Sequence, residues 1–150
     1  DGRWAMSDAA GEDDVATVEA FRAAQNAGDV DACLRLLAPD ALLDIGTGRF
    51  EGVRRIGTLL RLLARIHYTT TGEPARAGDG GLLTATWTVR HDDLRRNGLG
   101  ELAVSAEIRV AKGHITLLRT RATPETLERL RARSGGGEGY EEEEPRGREP

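Results

Sequence analysis

The chain has 150 residues, 39% of them hydrophobic and 31% charged, with a formal net charge of −4, the profile of one globular domain with tails. No apolar run reaches the ~18 residues a membrane span needs, and no charged start followed by an apolar middle marks a secretory signal, so a cytoplasmic location is expected. Residues 1–14 and 134–150 each carry −4 and the stretch between them +4, too mild and scattered for a nucleic-acid stripe; neither nucleic acid nor membrane is an expected partner.

Residues 1–12 have no periodicity and are expected to be disordered, with Met6 a candidate natural start. Residues 13–27 read as a first helix capped by Asp13 or Asp14. Asn26, Gly28 and Asp29 then end it and cap a second helix over 29–37, in which Val30, Cys33, Leu34 and Leu37 form one apolar stripe. Pro39, with no N–H to donate, stops that helix, and 41–45 reads as a short buried strand. After a loop over 46–52, Val53, Ile56, Leu59, Leu60, Leu63 and Ile66 keep helical spacing. Four strands follow, over 68–76, 82–92, 101–111 and 114–122, punctuated by Gly78–Gly81, Asn97-Gly98 and Lys112-Gly113. A last helix begins at Thr123-Pro124-Glu125, with Pro at its first position. The segment 134–150 is low-complexity and acidic and should be solvated, its Glu141–Glu144 run available to a basic partner. The domain proper is therefore 13–133, of α+β class.

Single residues exclude several chemistries. Cys33 is the only cysteine, so an intramolecular disulfide is impossible, and its place on an apolar stripe makes it a small hydrophobe. Of 21 basic residues only Lys112 is lysine, a skew expected of a GC-rich bacterial coding sequence. Gly46-Thr47-Gly48 lacks the Lys-Ser/Thr and the βαβ setting of a phosphate loop. His67, His91 and His114 fall on separate elements without metal-ligand spacing, so no metal and no cofactor is expected. His67, ending the third helix, is placed to reach a pocket. In Arg90-His91-Asp92-Asp93, alternation sends Arg90 and Asp92 one way and His91 the other, as at a solvated strand end.

The order helix, corner, short helix, Pro-Asp turn and strand over Phe21–Ile45 resembles the opening of the SnoaL-like branch of the NTF2-like superfamily, and the last strand from Gly113-His114-Ile115 supports it. The resemblance implies a cone of curved mixed or antiparallel sheet around three N-terminal helices, enclosing an apolar pocket. It also implies where chemistry would sit. The Tyr, base and acidic donor of ketosteroid isomerase fall on Phe21, Ile45 and Ala106, which cannot move protons. The Arg-x-Asp pair and second Asp of limonene-epoxide hydrolase fall on Thr86, Thr88 and Thr120, and its Tyr and Asn on Leu43 and Ile45. Polyketide cyclases need only one acid/base group in a shaped apolar cavity. Asp44, with Arg90 as an electrophile at the mouth, is the candidate for that role.

On this register Thr84, Thr86, Thr88 and Thr120 share the pocket face with Phe21, Leu43, Ile45 and Ala106, with His67 nearby. The other face, Leu83, Ala85, Trp87, Val89 and Leu117, is an apolar patch expected to form a homodimer. Two functions follow: a cofactor-independent cyclase, isomerase or hydrolase acting on a hydrophobic polyketide-like or terpenoid-like small molecule, or a non-catalytic dimeric ligand-binding or assembly module that has lost the acid/base residues.

Overall fold

The computed structural model describes residues 2–135, arranged as five helices and one mixed seven-stranded sheet. Helix α1 (Gly2–Asn26) starts well before Asp13 and Asp14, so both lie inside it and residues 2–12, expected to lack structure, belong to it; no proline interrupts that stretch. Asp29 caps α2 (Val30–Arg35), its side chain accepting from the Ala32 N–H at 3.1 Å. Strand β1 (Leu37–Asp44) begins earlier than expected and passes through Pro39. The register against its neighbour shifts between Leu37 and Leu42, and that irregularity is where a residue without an N–H is tolerated in a strand.

The loop expected over 46–52 contains β2 (Arg49–Glu51), a hairpin partner of β1. Gly52, at φ 89°, turns the chain into α3 (Val53–Arg65), which buries Ile56, Leu59 and Leu60 as the helical spacing predicts. The next expected strand divides into β3 (Thr69–Gly72) and β4 (Arg76–Ala77). After a 3-10 turn come β5 (Leu83–Arg90), a one-turn helix α4 (Asp92–Arg96) that the sequence did not announce, β6 (Leu102–Ala111) and β7 (His114–Ala122), then α5 (Pro124–Gly135).

The sheet order is β2-β1-β7-β6-β5-β3, with β4 also on β5. Only β1 and β7 run parallel. The sheet is curved and unclosed, and its inner face packs on the helices. Val18 and Phe21 of α1, Cys33 of α2 and Ile56 of α3 meet Leu43, Leu83, Trp87, Ala106, Ile108, Ile115 and Leu118 in one core. Among the described residues no helix is long and apolar enough to cross a membrane. The acidic segment expected from residue 134 falls, after residue 135, outside the described residues.

Candidate functional site

Strand register aligns six side chains in a row across the outer face of the sheet. Arg49 stands opposite Asp44, Asp44 opposite Arg119, Arg119 opposite Glu107, Glu107 opposite Thr84, and Thr84 opposite Arg76. Directly paired residues project to the same side, so the row alternates in charge from Arg49 to Glu107 and ends on a hydroxyl and an arginine. A parallel row holds Arg121, Ser105 and Thr86.

Asp44 anchors one end. It is 6% exposed and its carboxylate is gripped by the Arg121 guanidinium at 3.2 and 3.0 Å and by the Gly46 N–H at 3.0 Å. Arg119 approaches Asp44 at 3.8 Å and Glu107 at 2.9 Å, bridging the two acids. The hydrogen bond from Arg121, then that from Gly46, holds Asp44 well below the usual carboxylate range against the opposing effect of burial. Such a carboxylate stays ionised with both oxygens occupied. It is a poor base at neutral pH, because an efficient base has a pKa near the working pH and a free oxygen.

Beside the other end of the row lies a concavity of about 480 Å³ over β5 and β6, lined by Arg76, Thr84, Thr86, Ser105 and Glu107, with Glu73 and Pro74 at one wall. Arg76 forms no ion pair among the described residues, while Glu107 is engaged by Arg119. Hydroxyls and a guanidinium in a hollow of this size can orient carbonyl, hydroxyl or anionic groups. Among the described residues no three His, Cys, Asp or Glu side chains are grouped to hold a metal ion.

The interior expected to be the pocket is packed. Phe21, Leu43 and Ala106 lie there, each buried, and the half-buried Ile45 and Thr120 share their side of the sheet. Their neighbours are Leu83 and Trp87, because Ala85, and not Thr86, stands opposite Ala106. Thr86 and Thr88 therefore point outward, away from the residues they were expected to join. The apolar patch expected at a dimer interface is the domain's own core: Leu83 is 2%, Trp87 4% and Val89 4% exposed, and Ala85 packs beside them. Leu117 alone of that set lies on the outer face, opposite Arg109. The correction follows from burial: placing Leu83, Trp87 and Val89 inside gains about 1.5–3 kcal/mol each, which threonines cannot match.

Arg90 is an exposed residue paired with Glu101 at 2.5 Å, on a different strand from Asp44 and outside its network. His67, at φ 58° just past α3, is exposed and meets Asp92 at 2.8 Å, beside a separate hollow of about 180 Å³ near the end of α1. His91 caps α4 through its ring nitrogen, so Asp92 and Asp93 leave the strand and pair with Arg95 and Arg96.

Sequence reasoning passed over Arg22. It is 6% exposed, its guanidinium carbon 4.4 Å from the Trp87 ring centroid, donating to Thr70 at 3.1 Å and paired with Glu19 at 3.0 Å. The Thr70 bond and the Trp87 contact hold α1 on the sheet, and the Glu19 pair, within α1 itself, balances the buried charge. Arg119, Arg121, Glu107 and Ser105 were also missed; their alignment exists only once β1, β7 and β6 pair.

The SnoaL-like domain family matches residues 18–118. Among solved structures the chain is similar to a limonene-epoxide-hydrolase-like epoxide hydrolase of Mycobacterium tuberculosis (24% identity, 79% of this chain and 89% of that one, TM-score 0.63). It is similar also to a candidate polyketide cyclase of Xanthomonas campestris pv. campestris (23% identity, 73% and 90%, TM-score 0.61). A third is an NTF2-like protein of unknown function from Cytophaga hutchinsonii (18% identity, 74% and 90%, TM-score 0.59). No curated protein matches the chain. The chain belongs to the SnoaL-like domain family and has the NTF2-like cone fold.

Proposed function

We propose that this SnoaL-like domain is a small-molecule binding module whose ligand sits on the outer face of the sheet, in the concavity bounded by Arg76, Thr84, Thr86, Ser105 and Glu107. The observation that carries this reading is the coincidence of that hollow of about 480 Å³ with two cross-strand rows of hydroxyl and guanidinium groups. The ligand class that fits is an amphipathic molecule: an apolar body over Pro74 and the small residues of β5 and β6, with carbonyl, hydroxyl or anionic substituents towards Arg76 and the hydroxyls. A hydroxylated aromatic polyketide satisfies that description.

A cofactor-free cyclase, isomerase or hydrolase working through Asp44 and Arg90 has less support. Asp44 has no free oxygen for a proton, and Arg90 is spent on Glu101. The relatives' cyclase and epoxide-hydrolase descriptions belong to those proteins. The homodimer expected from the apolar face of β5 loses that premise, because Leu83, Trp87 and Val89 are buried within the single chain.

Calorimetric titration against a panel of hydroxylated aromatic compounds tests the reading. Thr86→Val and Ser105→Ala should each weaken binding about 2- to 12-fold, the worth of one hydrogen bond. Asp44→Asn should leave affinity unchanged. Turnover of any panel member that disappears in Asp44→Asn would replace the binding module with an enzyme.

A further inference from the structure

Helix α3 presents to solvent a face that nothing in the described structure neutralises. Arg54, Arg55, Arg61 and Arg65 are all exposed, as is Leu62 at 49%. At 3.6 residues per turn they fall with Thr58 on one side of the helix, opposite the buried Ile56, Leu59 and Leu60. The helix contains no acidic residue, and among the described residues none of its four arginines forms an ion pair. Elsewhere on this domain Arg22, Arg90, Arg95, Arg96, Arg119 and Arg121 each have a carboxylate, while Arg35, Arg49, Arg76, Arg109 and the three arginines of α5 form no ion pair among the described residues. Four like charges along about 20 Å of helix repel one another, so the face is primed for an anionic occupant.

We infer that this occupant is the chain's own acidic terminal segment, residues 136–150. Three observations select it. Its charge is the complement: six Glu against two Arg give −4, facing four arginines. Its pattern also matches: Tyr140 directly precedes Glu141–Glu144, one aromatic residue beside a run of acids, as Leu62 is the one exposed apolar residue beside the arginines of α3. The third observation is proximity. The Arg133 guanidinium of α5 donates to the Asn97 carbonyl at 2.7 Å, at one end of α4. At the other end of that single turn the Asp92 N–H donates to the Ile66 carbonyl at 2.8 Å, immediately after α3. The ends of α5 and α3 are thus linked through the Arg133 side chain and the single turn of α4, itself about 8 Å long. Glu141–Glu144, six to nine residues beyond Gly135, reach up to about 30 Å in extended chain, enough to arrive at the Arg65 and Arg61 end of α3. Tethering raises the effective concentration of the segment into the millimolar range, which lets weak, screened ion pairs accumulate into docking.

Paramagnetic NMR on the full chain tests this. A nitroxide is attached at Glu143→Cys; Cys33 is buried, so only the introduced thiol is labelled in the folded protein. The expected result is loss of the amide signals of 54–65 to broadening at low salt. Those signals should return at 1 M NaCl, where charges are screened beyond about 3 Å, and in the full chain carrying Arg54→Gln, Arg61→Gln and Arg65→Gln. Uniform weak broadening across the surface, with no excess on α3, would overturn the inference. So would broadening that arises only between a labelled chain and a separate isotope-enriched chain, which would assign the face to a second copy.

Discussion

At neutral pH both oxygens of Asp44 are occupied, one by Arg121 and Gly46 and the other by Arg121 with Arg119 near. The pairing lowers its pKa in the fold, so its stabilising contribution is complete above the unfolded value of about 4. It is lost as pH falls through the folded value. Asp44→Asn should therefore lower the urea midpoint at pH 7, and the gap to the parent protein should narrow below about pH 4 and close once the native carboxylate is protonated. A gap independent of pH would show that the ion pair contributes nothing. Cys33 gives a second residue-scale expectation. Burial, assisted by Asp29, pushes its thiol up to about 12, so a disulfide exchange reagent at pH 8 should label it only on unfolding. The sequence located Asp44 on the first strand and Cys33 on an apolar stripe. It could not locate Arg121, 77 residues downstream, because that pairing exists only once β1 and β7 align in parallel.

The element most instructive about reading is β5. Its residues Leu83–Arg90 alternate apolar and hydroxyl, and alternation alone defines two faces without saying which is inside. Matching family positions onto Thr86 and Thr88 placed the threonines inward; packing energy places Trp87 there, beneath Arg22 and hydrogen-bonded to the Glu73 carbonyl at 3.1 Å. Trp87→Ala should accordingly destabilise the fold by about 3–5 kcal/mol in urea unfolding. It should leave the sedimentation coefficient of the folded fraction unchanged, whereas a Trp87 at a subunit interface would leave each chain stable and dissociate the assembly. Gly72 marks where β3 must end. At φ 133° it sits against β5 so closely that a Cβ there would meet the Thr86 carbonyl at 3.0 Å. Gly72→Ala should cost about 1–3 kcal/mol through backbone strain, read in the same unfolding experiment.

Across the whole molecule, helices α2 and α3, the last two strands and the α+β class were legible because their periodicity is set by local packing and strong turn residues. β2, the division of β3 from β4, and α4 were not. Each is short, and each is fixed by a specific contact that periodicity does not reveal: the hairpin on β1, Gly72 against Trp87, and the His91 cap. The outer-face rows were invisible for the same reason, since they are a property of register across six strands. The central claim is that function resides on that face and that the interior is structural core. Chemical-shift mapping of the full chain with the tightest ligand of the calorimetric panel tests it most directly. Perturbations should centre on Arg76, Thr84, Thr86, Ser105 and Glu107, whereas perturbations centred on Phe21, Leu43 and Thr120 would place the ligand inside the cone and contradict the account.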